Sequence, residues 1–172
     1  LQGTGSSRER AAVEKALLAI SGRCGAKCIP HLRPLTQSRD AELHMIGLHA
    51  LAIVGGPEAL AAVTSAIEGA KPTVQDEAAR ILSTWPNNWP EDADAGRVLL
   101  KMATSAEKMS HQVLGLRGYL QYVRGTTKLT SDQKVAQVGD LRSHIKRPEE
   151  ERLAIAVLGE APSAGALEML KK

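Results

Sequence analysis

An apolar helical pattern returns along this chain at a near-constant interval, and that recurrence limits the folds open to it. Ala50-Leu51, Ile81-Leu82, Tyr119-Leu120 and Val157-Leu158 mark four similar stretches, their leucines 31, 38 and 38 residues apart. Four residues before each leucine stands Gly47, Ala78, Leu116 or Ala154, mostly small, which lets a neighbouring helix approach closely. A second set, Leu32, Leu60, Leu99 and Val138, alternates with the first at intervals of 28, 39 and 39. A period of roughly 30–40 residues, filled by two helices and short loops, is the mark of stacked helical repeats. A single pair cannot bury its apolar face alone, so stacking completes the core. The pattern begins and ends in mid-repeat, so a segment of a longer polypeptide is expected, unless helix 11–20 itself serves as the cap.

Composition agrees with helices. Hydrophobic residues make up 43% of the 172, yet Phe is missing and aromatics reach only 2%. The core must come from Leu, Ala, Ile and Val, whereas strands draw on β-branched and aromatic residues. No stretch alternates with period two, so no strand is expected. No apolar run approaches the roughly 18 residues that span a bilayer. Residues 1–6 read as a disordered tail or an expression scar, and 7–172 as one repeat domain.

The best-defined helix is 74–85, capped by Thr73 and stopped by Pro86. Before it, Ser6 or Ser7 opens a helix to about residue 21 with Val13, Leu17, Leu18 and Ile20 inward, ended by Gly22 and Gly25. Further helices are expected at 28–35, at 41–54 behind Asp40, and at 58–70 behind Pro57. Later ones run from Asp92 or Asp94 through Met102, over 111–123 behind Ser110, and from Ser131 through Ile145. The last two are 149–158 and 164–170. The fold class is all-α: a right-handed α-α superhelix of about four helix pairs plus flanking helices.

Net charge is +3, unevenly spread: residues 101–147 hold nine Lys/Arg against three acids. That segment can face an acidic partner or serve as a solvated helix surface. Cys24 and Cys28, spaced C-x-x-x-C, lack a second pair, and His31 alone does not complete a zinc site. Buried thiols are expected there, with a disulfide open if the chain is exported. His44 and His49 are five apart on one helix and point to different faces; His111 and His144 are distant, so no metal cluster forms. No phosphate-binding glycine loop, GxSxG or HExxH occurs, and no cofactor is expected.

Val74-Gln75, Ala78-Ala79 and Ile81-Leu82, together with Leu43-His44, Gly47-Leu48, Ala50-Leu51 and Gly55, resemble HEAT repeats of the armadillo-like class. More narrowly, AARILSTWP, VLGLRGYLQ and RPEEERLAIAVLGEAPS are similar to HEAT modules of large exported bacterial proteins, which often accompany a 3-keto-glycoside hydrolase-like or a c-type cytochrome domain. The resemblance implies a scaffold role and a periplasmic or extracellular home; the residues themselves leave a cytoplasmic one open. The usual Asp/Arg ladder between HEAT repeats is mostly replaced here, by His44, Gln75, Val113 and Glu151.

These readings lead to a non-catalytic scaffold for protein–protein interaction or domain spacing, partnered by another protein or by neighbouring domains. The helices carrying Leu51, Leu82 and Leu120 are expected to line the concave face, with His49, Arg80, Gln121 and Arg124 presented to a partner and Trp89 at the rim. Trp89 is read either as packed or as an exposed anchor. Trp85, Arg117, Tyr119 and Tyr122 are assigned structural roles. Arg117 falls on the apolar side of its helix, where it needs a carboxylate, Asp76 or Glu151, or an anionic ligand. The alternative is a nucleic-acid-binding HEAT protein resembling alkylpurine DNA glycosylases, using 101–147; the scarcity of aromatics to stack on bases weighs against it.

Overall fold

The computed structural model describes residues 7–171, with side chains from residue 11 onward. The expected tail and the Ser6 or Ser7 cap lie outside the side chains described. The described residues are helical, with no strand. The elements are α1 (Ser7–Cys24), a 3₁₀ turn (Gly25–Cys28), α2 (Ile29–Thr36), α3 (Ala41–Val54), α4 (Gly56–Gly69) and α5 (Pro72–Asn88). They continue as α6 (Ala93–Ser105), α7 (Met109–Gly125), α8 (Ser131–Asp140), α9 (Pro148–Gly159) and α10 (Ala164–Leu170).

Contacts gather into two compact units, Leu1–Ile81 and Leu82–Lys172. In the first, α3 packs on α1, α2 and α4, and α2 also meets α4. In the second, α7 packs on α6, α8 and α9, while α10 meets α8 and α9. Within each unit a helix therefore touches the next and the next but one. All the repeat-marking positions read from the sequence are buried: Leu51, Leu82, Leu120 and Leu158 in one set, Leu32, Leu60, Leu99 and Val138 in the other. Burying a leucine or valine contributes about 1.5–3 kcal/mol, so these positions dominate the hydrophobic stabilisation.

Close helix approach rests on glycine, though not always where the repeat places it. Gly47 does serve: a Cβ there would meet Leu35 Cβ at 2.9 Å. On α7 the corresponding position is Leu116, and its neighbour Gly115 takes over. A Cβ on Gly115 would lie 2.5 Å from the backbone nitrogen of Ala103 in α6. Gly115→Ala is expected to destabilise by about 1–3 kcal/mol, because backbone rather than a side-chain tip must move. Gly159 ends α9 with open space around it. Gly159→Ala should instead stabilise by about 0.5–1 kcal/mol. Urea melts of the two variants test this contrast.

Five expected boundaries shift. Helix α1 passes through Gly22 and stops at Gly25, whose φ is +59°. Its inward face holds Leu17, Leu18 and the buried Ser21, so Val13 and Ile20, off that stripe, are exposed. Helix α5 starts at Pro72, not after Thr73: the carbonyl of Lys71 accepts from the N–H groups of Val74 and Gln75, and proline suits a first turn that needs no donor. It also runs past Pro86, since proline removes one bond and the Trp89 N–H still reaches Trp85 O at 3.0 Å. Helix α7 begins at Met109 behind Lys108, and Ser110 lies inside it. Helix α8, capped by Thr130 in a reciprocal pair with Gln133, ends at Asp140 rather than Ile145.

Candidate functional site

Of the residues expected at a partner surface, His49 and Arg80 belong to the first unit. Helix α3 carries His49 and α5 carries Glu77 and Arg80, one turn apart. His49 Nε2 lies 3.1 Å from Glu77 Oε1, and Arg80 Nη1 donates to Glu77 Oε2 at 3.3 Å. One carboxylate thus gathers both basic side chains into a small surface cluster. Glu77 was not singled out by sequence reasoning; its place one turn before Arg80 is the signal that could have found it.

In the second unit, Arg124 ends α7 and forks onto Glu160. Its Nε donates to both carboxylate oxygens at 2.9 Å, and Nη2 joins Oε1 as well. The fork holds the Glu160 carboxyl below its usual range and raises the guanidinium. Lys134 Nζ adds a bond of 2.9 Å to the Arg124 carbonyl. Gln121, three residues before Arg124 on α7, is half-buried. Trp89 is half-buried too, so neither of its two expected extremes describes it.

The four residues given structural roles lie inside the second unit. Trp85 is 2% exposed, and its indole N–H donates to Asp92 Oδ2 at 3.0 Å. The other oxygen of Asp92 accepts from the N–H groups of Asp94 and Ala95, capping α6. Tyr119 and Tyr122 are buried, with ring centroids 6.1 Å apart. Tyr119 donates to Gln137 Oε1 at 2.6 Å, and burial, then the Tyr122 and Asp140 charges, push its phenol up to about 12.

Arg117 has a carboxylate partner within its own unit, and it is not Glu151. Glu150, whose side chain is 2% exposed, accepts from Arg117 Nε and Nη2 at 2.9 Å each. Glu149 stands at 3.9 Å. One residue along a helix is a rotation of about 100°, which turns Glu150 inward and Glu151 out to solvent.

Glu91 is the residue that sequence reasoning overlooked most completely. Its carboxylate accepts from the Thr127 N–H at 2.8 Å and the Thr126 hydroxyl at 3.1 Å, while Lys128 Nζ bonds its carbonyl at 2.6 Å. These contacts, the Thr127 amide foremost, hold its carboxyl below the ordinary 4.5. A carboxyl depressed by folding stabilises fully above its unfolded value and loses that contribution as pH falls through the folded one. The thermal midpoint is therefore expected to drop on acidification from about pH 5 to about pH 3. Glu91→Gln should flatten part of that drop, and Glu160→Gln a further part, as read by melts across the range.

Cys24 is exposed and Cys28 buried, both as free thiols; burial, then the neighbouring Cys24, pushes the Cys28 thiol up. The expectation of two buried thiols thus fails for Cys24, which sits in the last turn of α1 facing solvent. His44 is half-buried, and desolvation lowers its pKa. Among the described residues no group of three His, Cys, Asp or Glu is arranged to hold a metal ion. No described helix is long and apolar enough to cross a membrane. Comparison with protein-family models, with curated proteins and with solved structures finds no match.

Proposed function

We propose that this chain is a non-catalytic helical-repeat scaffold of HEAT type, which engages a protein partner or spaces neighbouring domains. One observation carries the reading: four of its polar ties join residues about one sequence repeat apart. Lys71 to Arg39 spans 32 positions, Arg117 to Glu150 spans 33, Thr126 to Glu91 spans 35, and Arg124 to Glu160 spans 36. The leucine period is 31 to 38. A ladder of this kind does the work of the Asp/Arg ladder that the sequence lacks. Repeats held this way build an extended surface from many small contributions, which suits binding better than chemistry.

The nucleic-acid alternative draws less support. Of the nine basic residues in 101–147, Arg117, Arg124, Lys128 and Lys134 are engaged within the protein. Weak retention on duplex DNA even at low salt is the expected result. For the scaffold reading, immobilised protein should retain a partner set from its native extract, and Arg80→Glu with Arg124→Glu should lose it while the fold persists by circular dichroism. Unchanged retention would exclude those two side chains, and no retained protein would remove the interaction role.

A further inference from the structure

The second unit carries an open groove of about 460 Å³ bounded by residues 142–147, α9 and α10. Its α9 wall is Glu151, Ala154, Ile155 and Leu158, spaced i, i+3, i+4 and i+7. That is one helical face over two turns, the kind of stripe that a packed helix normally covers. Here it is covered only in part: Ala154 and Leu158 form a buried floor, while Ile155 is 50% exposed and Leu170 on the facing α10 is 45% exposed. Scattered apolar exposure needs no explanation, but two large apolar side chains left exposed in one groove over an apolar floor mark an interaction site.

Charge identifies the occupant. Arg142, Lys146 and Arg147 line the same groove, opposed there by Glu151 alone. Unlike Arg117 and Arg124, none of these three has a carboxylate partner among the described residues. Cations left unpaired beside an apolar wall complement acids on an amphipathic partner. A second copy fits poorly, because a two-fold contact would bring both basic rims together. A membrane surface fits poorly as well, because the apolar floor is recessed between helices rather than presented on a convex face.

We infer that this groove docks an acidic amphipathic helix of a protein partner. Apolar residues at i, i+3 or i+4, and i+7 enter between α9 and α10, and flanking Asp or Glu side chains meet Arg142, Lys146 and Arg147. The inference rests on the interaction reading above and supplies that reading with a site and a partner chemistry.

The test uses a fluorescein-labelled synthetic helix of about 16 residues, with leucines at that spacing and glutamates on the flanks. It is titrated with the full chain by anisotropy at low salt. Saturable binding is expected, weakened at least about tenfold by Arg142→Glu with Arg147→Glu, by Ile155→Asp, or by glutamine in place of the peptide glutamates. The substituted side chains are exposed, and unchanged melting curves confirm the fold. Equal binding to all variants, or none at millimolar peptide, overturns the proposal. So does a sedimenting dimer dispersed by Ile155→Asp, or binding to phosphatidylserine vesicles lost in the same variants. If the peptide fails while the immobilised protein still retains partners sensitive to Arg80 and Arg124, the groove is wrong and the scaffold stands. If both fail, the scaffold reading falls with it.

Discussion

Arg117→Ala should destabilise the protein by about 3–5 kcal/mol, near the lower end because water reaches the site. The reason is the carboxylate left behind. Glu150 is buried, with its side chain 2% exposed, and Arg117, itself 37% exposed, is the cation that meets it. Removing one partner strands a charge, whereas removing both does not. Arg117→Met combined with Glu150→Leu is therefore expected to lie within about 1.5 kcal/mol of the parent, or above it, since apolar replacements of similar volume often match a buried pair. A double-mutant cycle by urea denaturation measures the coupling. Near-additive effects of the two single substitutions would show that the pair contributes little and that burial alone sets the cost.

Trp85→Ala should cost about 3–5 kcal/mol, the range for truncating a buried aromatic side chain. Two losses combine: the volume of the largest fully buried side chain described, and the indole bond to Asp92. Trp85→Phe separates them, keeping most of the volume and losing the bond, and should cost about 1–2 kcal/mol. Asp92→Ala removes the indole's acceptor and the cap of α6 together, so it should cost more than an ordinary cap, about 2 kcal/mol or above. Thermal melts rank the three. Were Trp85→Phe as damaging as Trp85→Ala, the bond would outweigh the packing.

Most of the helical framework was legible because its signals are local. A leucine four residues from a small residue, a proline in a first turn and an Asp before an apolar run each act within one or two helical turns. The buried positions from Leu32 to Leu158 followed from their period alone. Boundaries failed where tertiary packing overrode a local stop. Pro86, itself buried, did not end α5, and Gly22 did not end α1. The face of α1 was misjudged because four apolar residues, Val13, Leu17, Leu18 and Ile20, do not share one side of a helix, and only packing against α3 selects which side turns in.

The expected surface residues were located but their partners were not. Glu77, Glu91, Glu150 and Glu160 each complete a contact that sequence reasoning left open. Glu77 alone has a local signal, Arg80 one turn on; for the other three, nothing in the carboxylate's own neighbourhood announces a base or hydroxyl more than 30 positions away. The groove beside Ile155 was invisible for the same reason, since its walls come from α9, α10 and the turn between α8 and α9.

The sequence by itself determined an all-helical chain, the interval of its apolar pattern and most of the residues that form its core, because apolar periodicity and helix signals are written over a few turns at most. The tertiary structure alone decided that Arg117 meets Glu150 rather than Glu151, that Glu91 ties the segment after α7, and that Ile155 of α9 stays uncovered beside a groove. A rotation of about 100° per residue separates a buried carboxylate from a solvated one, and only the packing of helices distant in sequence sets that angle.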